Sequence, residues 1–325
     1  MPVITRRATL AAGLALPALA LPHLARAQET RSLRFVVPFA AGGSTDVLAR
    51  VFGERIAPLL GQPVVVENRA GGAGSVGSAA VAQAAADGNT LLLGTIGTHA
   101  VNGLLTAALP YDAVADFTPI TLLATLPNVL VVNPALPVAS VAELVAYIRA
   151  RPGQLAFASP GNGTAAHLAG ELFRTTLGVE IAHAPYRGSA PLLTDVIGGQ
   201  VTMAFDYSAS SLPHIRGGRL RALAVTSDSR SDALPAVPTM LEAGFPAVRV
   251  TTWYGIFAPR GLPAPQVARL HQAFATAAQD AGLREKLAQL SVTPVVGTPA
   301  ELASFQRAEI DRWGALVRSA RITAD

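Results

Sequence analysis

The chain has 325 residues, half of them hydrophobic and 14% charged, so it can bury a large core, has room for two ordinary domains and is not intrinsically disordered. Its formal net charge of +4 is concentrated at one end: Arg6, Arg7 and Arg26 fall in the first 27 residues, which contain no acid, leaving 22 basic against 21 acidic residues over the rest. That balance, with no basic cluster further on, argues against a nucleic-acid partner, and the absence of cysteine excludes disulfides, thiolate chemistry and lipidation of an N-terminal cysteine.

In chain order, Arg6-Arg7 is followed by an Ala/Leu-rich stretch to about Leu24 and then by Ala25-Arg26-Ala27, with small residues at both cleavage-recognition positions. This predicts a secretory signal over 1–27, cleaved after Ala27, and a periplasmic destination. The paired arginines resemble a twin-arginine signal; a general secretory signal that happens to contain two arginines is the alternative. Pro17, Pro22 and the short apolar core argue against a permanent membrane anchor.

Downstream, short apolar runs alternate with amphipathic stretches, the pattern of βαβ units. Strands are predicted over 33–37, 64–67 and 91–94, with helices over 45–60 and 75–86 between them. After Pro127 the pattern restarts, with strands over 129–132, 155–158, 201–205, 220–225 and 252–257 and helices over 140–149, 164–177 and 190–198. Ser140 with Glu143 three residues on is a capping box. The remainder is predicted largely helical, over 264–281, 283–290 and 299–320.

Three strand-to-helix junctions are rich in glycine and small hydroxyls: residues 38–46 (PFAAGGSTD), 70–75 (AGGAGS) and 159–164 (SPGNGT). Such turns let a ligand approach the backbone, and the helix that follows offers unpaired N–H groups and a positive dipole end, so they can bind an anion without a charged side chain. Residues 72–77 also match the dinucleotide pattern G-x-G-x-x-G, but the next strand ends Leu93-Gly94-Thr95, without the acid that would hold a ribose. The segment therefore reads as a tight turn, and no nucleotide cofactor is expected. There is no G-x-S-x-G nucleophile elbow, and His99, His167, His183, His214 and His271 are scattered, none paired at i+3 or i+4. Neither a catalytic serine nor a metal centre is expected.

Asp46 falls in the first turn of a predicted helix, where it can satisfy free N–H groups or accept a hydrogen bond from a ligand. His167, also in a first turn, reads equally as a structural histidine or a ligand contact. Asp206 follows the strand predicted over 201–205, either as a solvated loop acid or at the strand end where α/β proteins bind ligands. Trp253 and Tyr254 read as core or hinge aromatics.

The same loops carry a resemblance. Residues 37–46 (VPFAAGGSTD), 67–74 (ENRAGGAG), 86–92 (ADGNTLL), 184–188 (APYRG), 210–215 (SSLPHI), 220–226 (LRALAVT), 237–240 (VPTM) and 252–259 (TWYGIFAP) run in order along the mature chain. In these stretches the chain resembles the extracytoplasmic receptors of tripartite tricarboxylate transporters, the Bug family, which often has proline where Ala40 and Ala70 stand here. The resemblance implies an α/β fold of the type II periplasmic-binding-protein kind. Its two lobes, residues 28–126 with 252–325 and residues 127–251, would be joined by crossing strands near 122–132 and 250–257, with a ligand cleft between them.

The resemblance further implies a receptor, not an enzyme, that captures a small carboxylate-bearing solute and delivers it to the membrane subunits of a tripartite transporter. It would work as a monomer, without cofactor or metal. A ligand-binding protein feeding a signalling system, or an exported enzyme on the same fold, are the alternatives. The first and third loops are implied to grip the carboxylate from opposite lobes, through backbone amides and water. This nominates Phe39, Ala41, Gly42, Gly43, Thr45 and Asp46 in the first loop, Ser159, Gly161, Gly163, Thr164 and His167 in the third, and Asp206. A side chain at Gly163 is expected to project toward the ligand and to leave the stability of the ligand-free fold nearly unchanged.

Overall fold

The computed structural model describes residues 31–320 and Ile322, so the signal predicted over 1–27, with Arg6, Arg7 and the cleavage point, lies outside the described residues. Strand β1 (Leu33–Val37) is an almost unbroken apolar run, as befits a strand covered on both faces. It leads through α1 (Ser44–Leu60) to β2 (Val64–Asn68), then through α2 (Ser75–Ala82) to β3 (Thr90–Thr95), and β2 and β3 flank β1 in parallel. Leu48, Phe52 and Ile56 recur at the four-residue spacing of one helix stripe and are fully buried in a cluster with Phe35 and Phe274. After β3 the chain makes a π-helical turn (Gly97–Val101) that continues into α3 (Asn102–Leu105).

The organising element is β4 (Phe117–Val132), whose 16 residues span roughly 50 Å. Beyond it come α4 (Val141–Arg149), β5 (Ala156–Ser159), α5 (Ala165–Leu177), β6 (Ala182–Pro185), α6 (Ser189–Ile197), β7 (Met203–Tyr207), α7 (Ser208–Arg216) and β8 (Arg221–Val225). The chain then returns along β9 (Thr251–Pro259) and closes with α8 (Ala264–Ala277), α9 (Ala281–Gln289), the short β10 (Thr293–Pro294) and α10 (Pro299–Ala320). The sheet order is β2-β1-β3-β9-β4-β7-β5-β6, with β8 and β10 also paired to β4.

The two halves of β4 have different neighbours. Residues from Phe117 to Pro127 pair antiparallel with β9, whereas Asn128 to Val132 pair with β7, and Val129 to Val132 with β8 on the other edge. Asn128 sits where the partners change. Its side-chain amide donates to the Val250 carbonyl (3.1 Å) and Thr226 Oγ1 (3.3 Å), and its oxygen accepts from Thr252 Oγ1 (2.8 Å). A fully buried asparagine with each group partnered fixes β4 against the start of β9. The topology places the β1–α1, β5–α5 and β7–α7 junctions at the carboxyl ends of their strands, the ligand-binding edge of open α/β sheets.

Several elements depart from the sequence reading. The helix predicted over 75–86 stops at Ala82, and the one over 264–281 stops at Ala277, because Asp280 caps the next helix by accepting the Leu283 N–H at 2.7 Å. The turn Gly97–Leu105, the short strand β6 and the polar helix α7 have little apolar periodicity and were not predicted. The strand predicted over 201–205 is displaced to Met203–Tyr207, which carries Asp206 inside it.

Candidate ligand-binding site

The first loop connects β1 to α1. Gly42 occupies the left-handed region at φ 84°, and Gly43, the helix cap, is extended and contributes no side chain. Asp46 folds back beneath the loop: it accepts the Gly42 N–H at 2.9 Å and the Arg50 Nε–H at 3.1 Å. Burial tends to raise its pKa, but the hydrogen bonds from Arg50 and Gly42 prevail and hold the carboxyl below the usual range. Asp46 is thus an internal brace of the loop. The N–H groups of Gly43, Ser44 and Thr45 have no acceptor among the described residues, and Ala41, Gly42 and Gly43 are exposed. The start of α1 is therefore an open set of donors at the positive end of a 17-residue helix.

The third loop, between β5 and α5, is occupied with itself. Thr164 caps α5 by accepting the His167 N–H at 3.2 Å, and its own hydroxyl donates to the Gly161 carbonyl at 2.7 Å. The Gly163 N–H donates to His167 Nδ1 at 3.1 Å, and the Gly161 N–H to Ser159 Oγ at 3.3 Å. His167 is buried and stacked on His183, ring centroids 4.1 Å apart, and Ser159 Oγ lies 2.7 Å from His183 Nε2. Two histidines that look scattered in sequence are therefore in contact. Burial, with help from the neighbouring His183 and Arg174, depresses the His167 pKa to about 3, so the ring stays neutral and can accept the Gly163 N–H.

The second loop joins the other two. A side chain at Gly74, φ 92°, would meet Thr98 at 2.6 Å and the Phe39 ring at 3.1 Å, so the absence of a side chain there lets Phe39 pack down. The Asn102 side-chain amide donates to the Ala73 carbonyl at 3.0 Å. Two tyrosines lie beside these loops: Tyr254 of β9 places its hydroxyl 3.0 Å from Ser44 Oγ, and Tyr207 ends β7 near the Thr164 side chain. The two phenols also interact electrostatically, and burial pushes Tyr254 up to about 12.

Two expectations are corrected. At Gly163, φ 72° turns the side-chain direction toward α3, where a Cβ would lie 3.1 Å from Asn102 Oδ1 and near Leu105 and Val101. A side chain there would face these residues, and the position is buried, so the ligand-free fold would feel it. Asp206 is not a solvated loop acid. It is fully buried within β7 and accepts from Ser189 Oγ at 2.5 Å and Ser211 Oγ at 2.8 Å.

Tyr207, Tyr254 and Asn102 were not singled out as site residues, because their roles depend on contacts between distant segments. Among the described residues no group of three His, Cys, Asp or Glu could hold a metal ion. A separate open groove of about 820 Å³, lined by Ser227, Arg230, Arg249, Trp253 and Arg312 among others, contains none of the loop residues named above.

Residues 48–322 match the profile described as the tripartite tricarboxylate transporter family receptor. The protein BugT of Bordetella pertussis is 41% identical over 301 residues, covering 92% of each chain. Among solved structures, an R. palustris protein with adipate is 39% identical with a TM-score of 0.86, covering 91% of this chain and 99% of that one. MatC from Rhodopseudomonas palustris with bound malate is 35% identical with a TM-score of 0.81, covering 88% and 99%.

Proposed function

The chain belongs to the tripartite tricarboxylate transporter receptor family and has its periplasmic-binding-protein fold, and from that premise we propose how it captures its solute. The ligand is a small carboxylate, and its carboxylate group sits on the N–H groups of Gly43, Ser44 and Thr45. The observation that carries this reading is the uncapped, exposed start of α1, where Gly43 offers no side chain, against α5, where Thr164 caps the His167 N–H and the next residues, Ala165 and Ala166, are fully buried. Charge-assisted hydrogen bonds contribute about 1.5–3 kcal/mol each. Two or three of them, with the helix dipole, approach the roughly −8 kcal/mol of a micromolar site. Adipate and malate, seen in the two relatives, define the class of acid to try first.

In this reading the third loop supplies shape. Its internally bonded turn, with Ser159, Gly161, Thr164 and His167, stands across the site from Phe39, Ala41 and Gly42, with Tyr207 and Tyr254 beside the two loops. The lobes are residues 28–126 with 252–325 and residues 127–251, and the change of partner at Asn128 supports a hinge there. The loaded receptor delivers its solute to the membrane subunits of a tripartite transporter, after export directed by residues 1–27 and cleavage following Ala27.

Calorimetry with adipate and malate against their amides tests the reading. The acid is expected to bind at least tenfold more tightly than its amide, a difference of about 1.4 kcal/mol. Equal affinities would overturn the amide cradle.

A further inference from the structure

Asp206 is the buried acid that the proposed cradle leaves unexplained. Both of its oxygens accept hydrogen bonds from serine hydroxyls, Ser189 at the first position of α6 and Ser211 in the first turn of α7. Neighbouring elements give it no cation. Val129 is its partner on β4, and β5 (AFAS) has no titratable residue. On α6, Asp195 accepts from the Tyr186 hydroxyl at 2.6 Å. On α5, His167, Glu171 and Arg174 form their own network, and on α7, His214 and Arg216 lie in the last turn, away from Ser211. The Asp206 charge in turn raises the pKa of Tyr207, its neighbour in the chain, and of Tyr254, which reaches Ser44, the first residue of α1.

A negative charge without a counter-ion thus lies near the carboxyl end of β7 and is felt by Tyr254, whose hydroxyl reaches Ser44 beside the amides that would receive an anion. Burial pushes Asp206 up to about 6, the two serine hydroxyls and the Tyr207 N–H only partly offsetting it. A carboxylate arriving at the start of α1 adds a like charge and disfavours the ionised form further. The new O–H has a partner at hand, because a serine hydroxyl can accept a hydrogen bond as well as donate one.

Resting on the function proposed above, we propose that Asp206 is a charge-sensing residue of the ligand site, and that the receptor binds its carboxylate together with a proton taken from solvent onto the Asp206 carboxyl. The O–H bond forms on Asp206 as a buffer acid gives up its proton, and no other covalent bond changes. By linkage, affinity falls as pH rises from the pKa of the free protein to the higher pKa of the complex, by at most tenfold per pH unit.

The test is calorimetry of the whole mature chain with adipate and malate between pH 6.5 and 7.5, in PIPES and in imidazole, whose ionisation enthalpies differ. The expected result is net proton uptake, up to one per ligand, and affinity that declines with pH. Asp206→Asn is expected to bind with neither uptake nor pH dependence. Ser211→Ala, which keeps the acid and removes one bond favouring its charged form, is expected to move the uptake window to higher pH. Binding without uptake in the parent overturns the inference, as does uptake that persists in Asp206→Asn. If Asp206→Asn does not fold, an unmoved window in Ser211→Ala overturns it. Failure of every acid to bind overturns the receptor reading, and this inference with it.

Discussion

At the start of α5, Thr164 accepts the His167 N–H and the His167 ring accepts the Gly163 N–H; at the start of α1, the capping residue is Gly43 and the first three amides have no acceptor. Both helices follow a glycine-rich loop at the carboxyl end of a strand, yet one is capped by a side chain and starts on the buried Ala165 and Ala166, and the other starts uncapped behind exposed glycines. A side-chain cap is worth roughly a few tenths of a kcal/mol over glycine, so the bare start of α1 forgoes a little stability that a single residue could supply. The difference separates two tasks that sequence composition assigns jointly to both loops. In the proposed reading the third loop shapes the site and the first presents the donors.

Gly43→Asp attacks this contrast most severely. Gly43 has extended backbone, and a Cβ there would meet only the Ala40 carbonyl at 3.7 Å, so the aspartate fits and provides the missing cap. Thermal stability of the ligand-free protein is expected to rise by roughly 0.5 kcal/mol. Adipate or malate affinity is expected to fall at least 100-fold, about 2.7 kcal/mol, because the new carboxylate occupies the ligand's donors. Unchanged affinity in calorimetry would move the carboxylate away from α1.

Acidification distinguishes the two caps next. The His167 pKa is lowered in the folded protein, so its stabilising contribution is fully present above its ordinary value of 6.5 and is lost as pH falls toward about 3. The limiting slope is about 1.4 kcal/mol per pH unit. Between about 6 and 3.8 Asp206 acts in the opposite direction, since its raised pKa makes the protonated fold the more stable one. Comparing the wild type with His167→Asn cancels that contribution: the wild-type melting temperature is expected to fall more steeply between pH 7 and 4, and parallel curves would contradict a neutral His167 holding the third loop.

Backbone substitutions probe the same loop more gently. Gly163→Ala places a Cβ at φ 72° against Asn102 Oδ1, and a loss of roughly 1–2 kcal/mol is expected in denaturant unfolding. Thr164→Ala removes the α5 cap and is expected to cost about 1 kcal/mol, with less than a tenfold change in affinity for a carboxylate. A large affinity loss with little change in stability in either variant would reverse the roles of the two loops.

The parts of the fold legible in sequence are those governed by local chemistry. The apolar run from Leu33 to Val37 and the helix stop at Gly61 are of this kind, as is the Thr164 start of α5. The capping box was read in outline: the Glu143 N–H donates to Ser140 Oγ at 3.2 Å, while the Glu143 carboxylate accepts from Ala139 and not from Ser140. The glycine loops were legible as candidate anion seats, but composition could not separate the open one from the self-capped one. That depends on which way Asp46 and His167 turn. Contacts between distant segments left no mark at all: Ser44 and Tyr254 are 210 residues apart, and the Ser189 and Ser211 hydroxyls converge on Asp206 only after α6 and α7 have folded against β7. Asp206 itself was misplaced because the apolar run begins at Val201, two residues before the strand does.

The most direct test of the account is an amide NMR titration of the mature protein with adipate or malate, compared with the corresponding amide. The account predicts that the N–H signals of Gly43, Ser44 and Thr45 move furthest downfield with the acid and stay in place with the amide, while those of Gly161, Gly163 and Thr164 change less. Large downfield shifts confined to Gly161, Gly163 and Thr164, with the α1 amides unmoved, would contradict it.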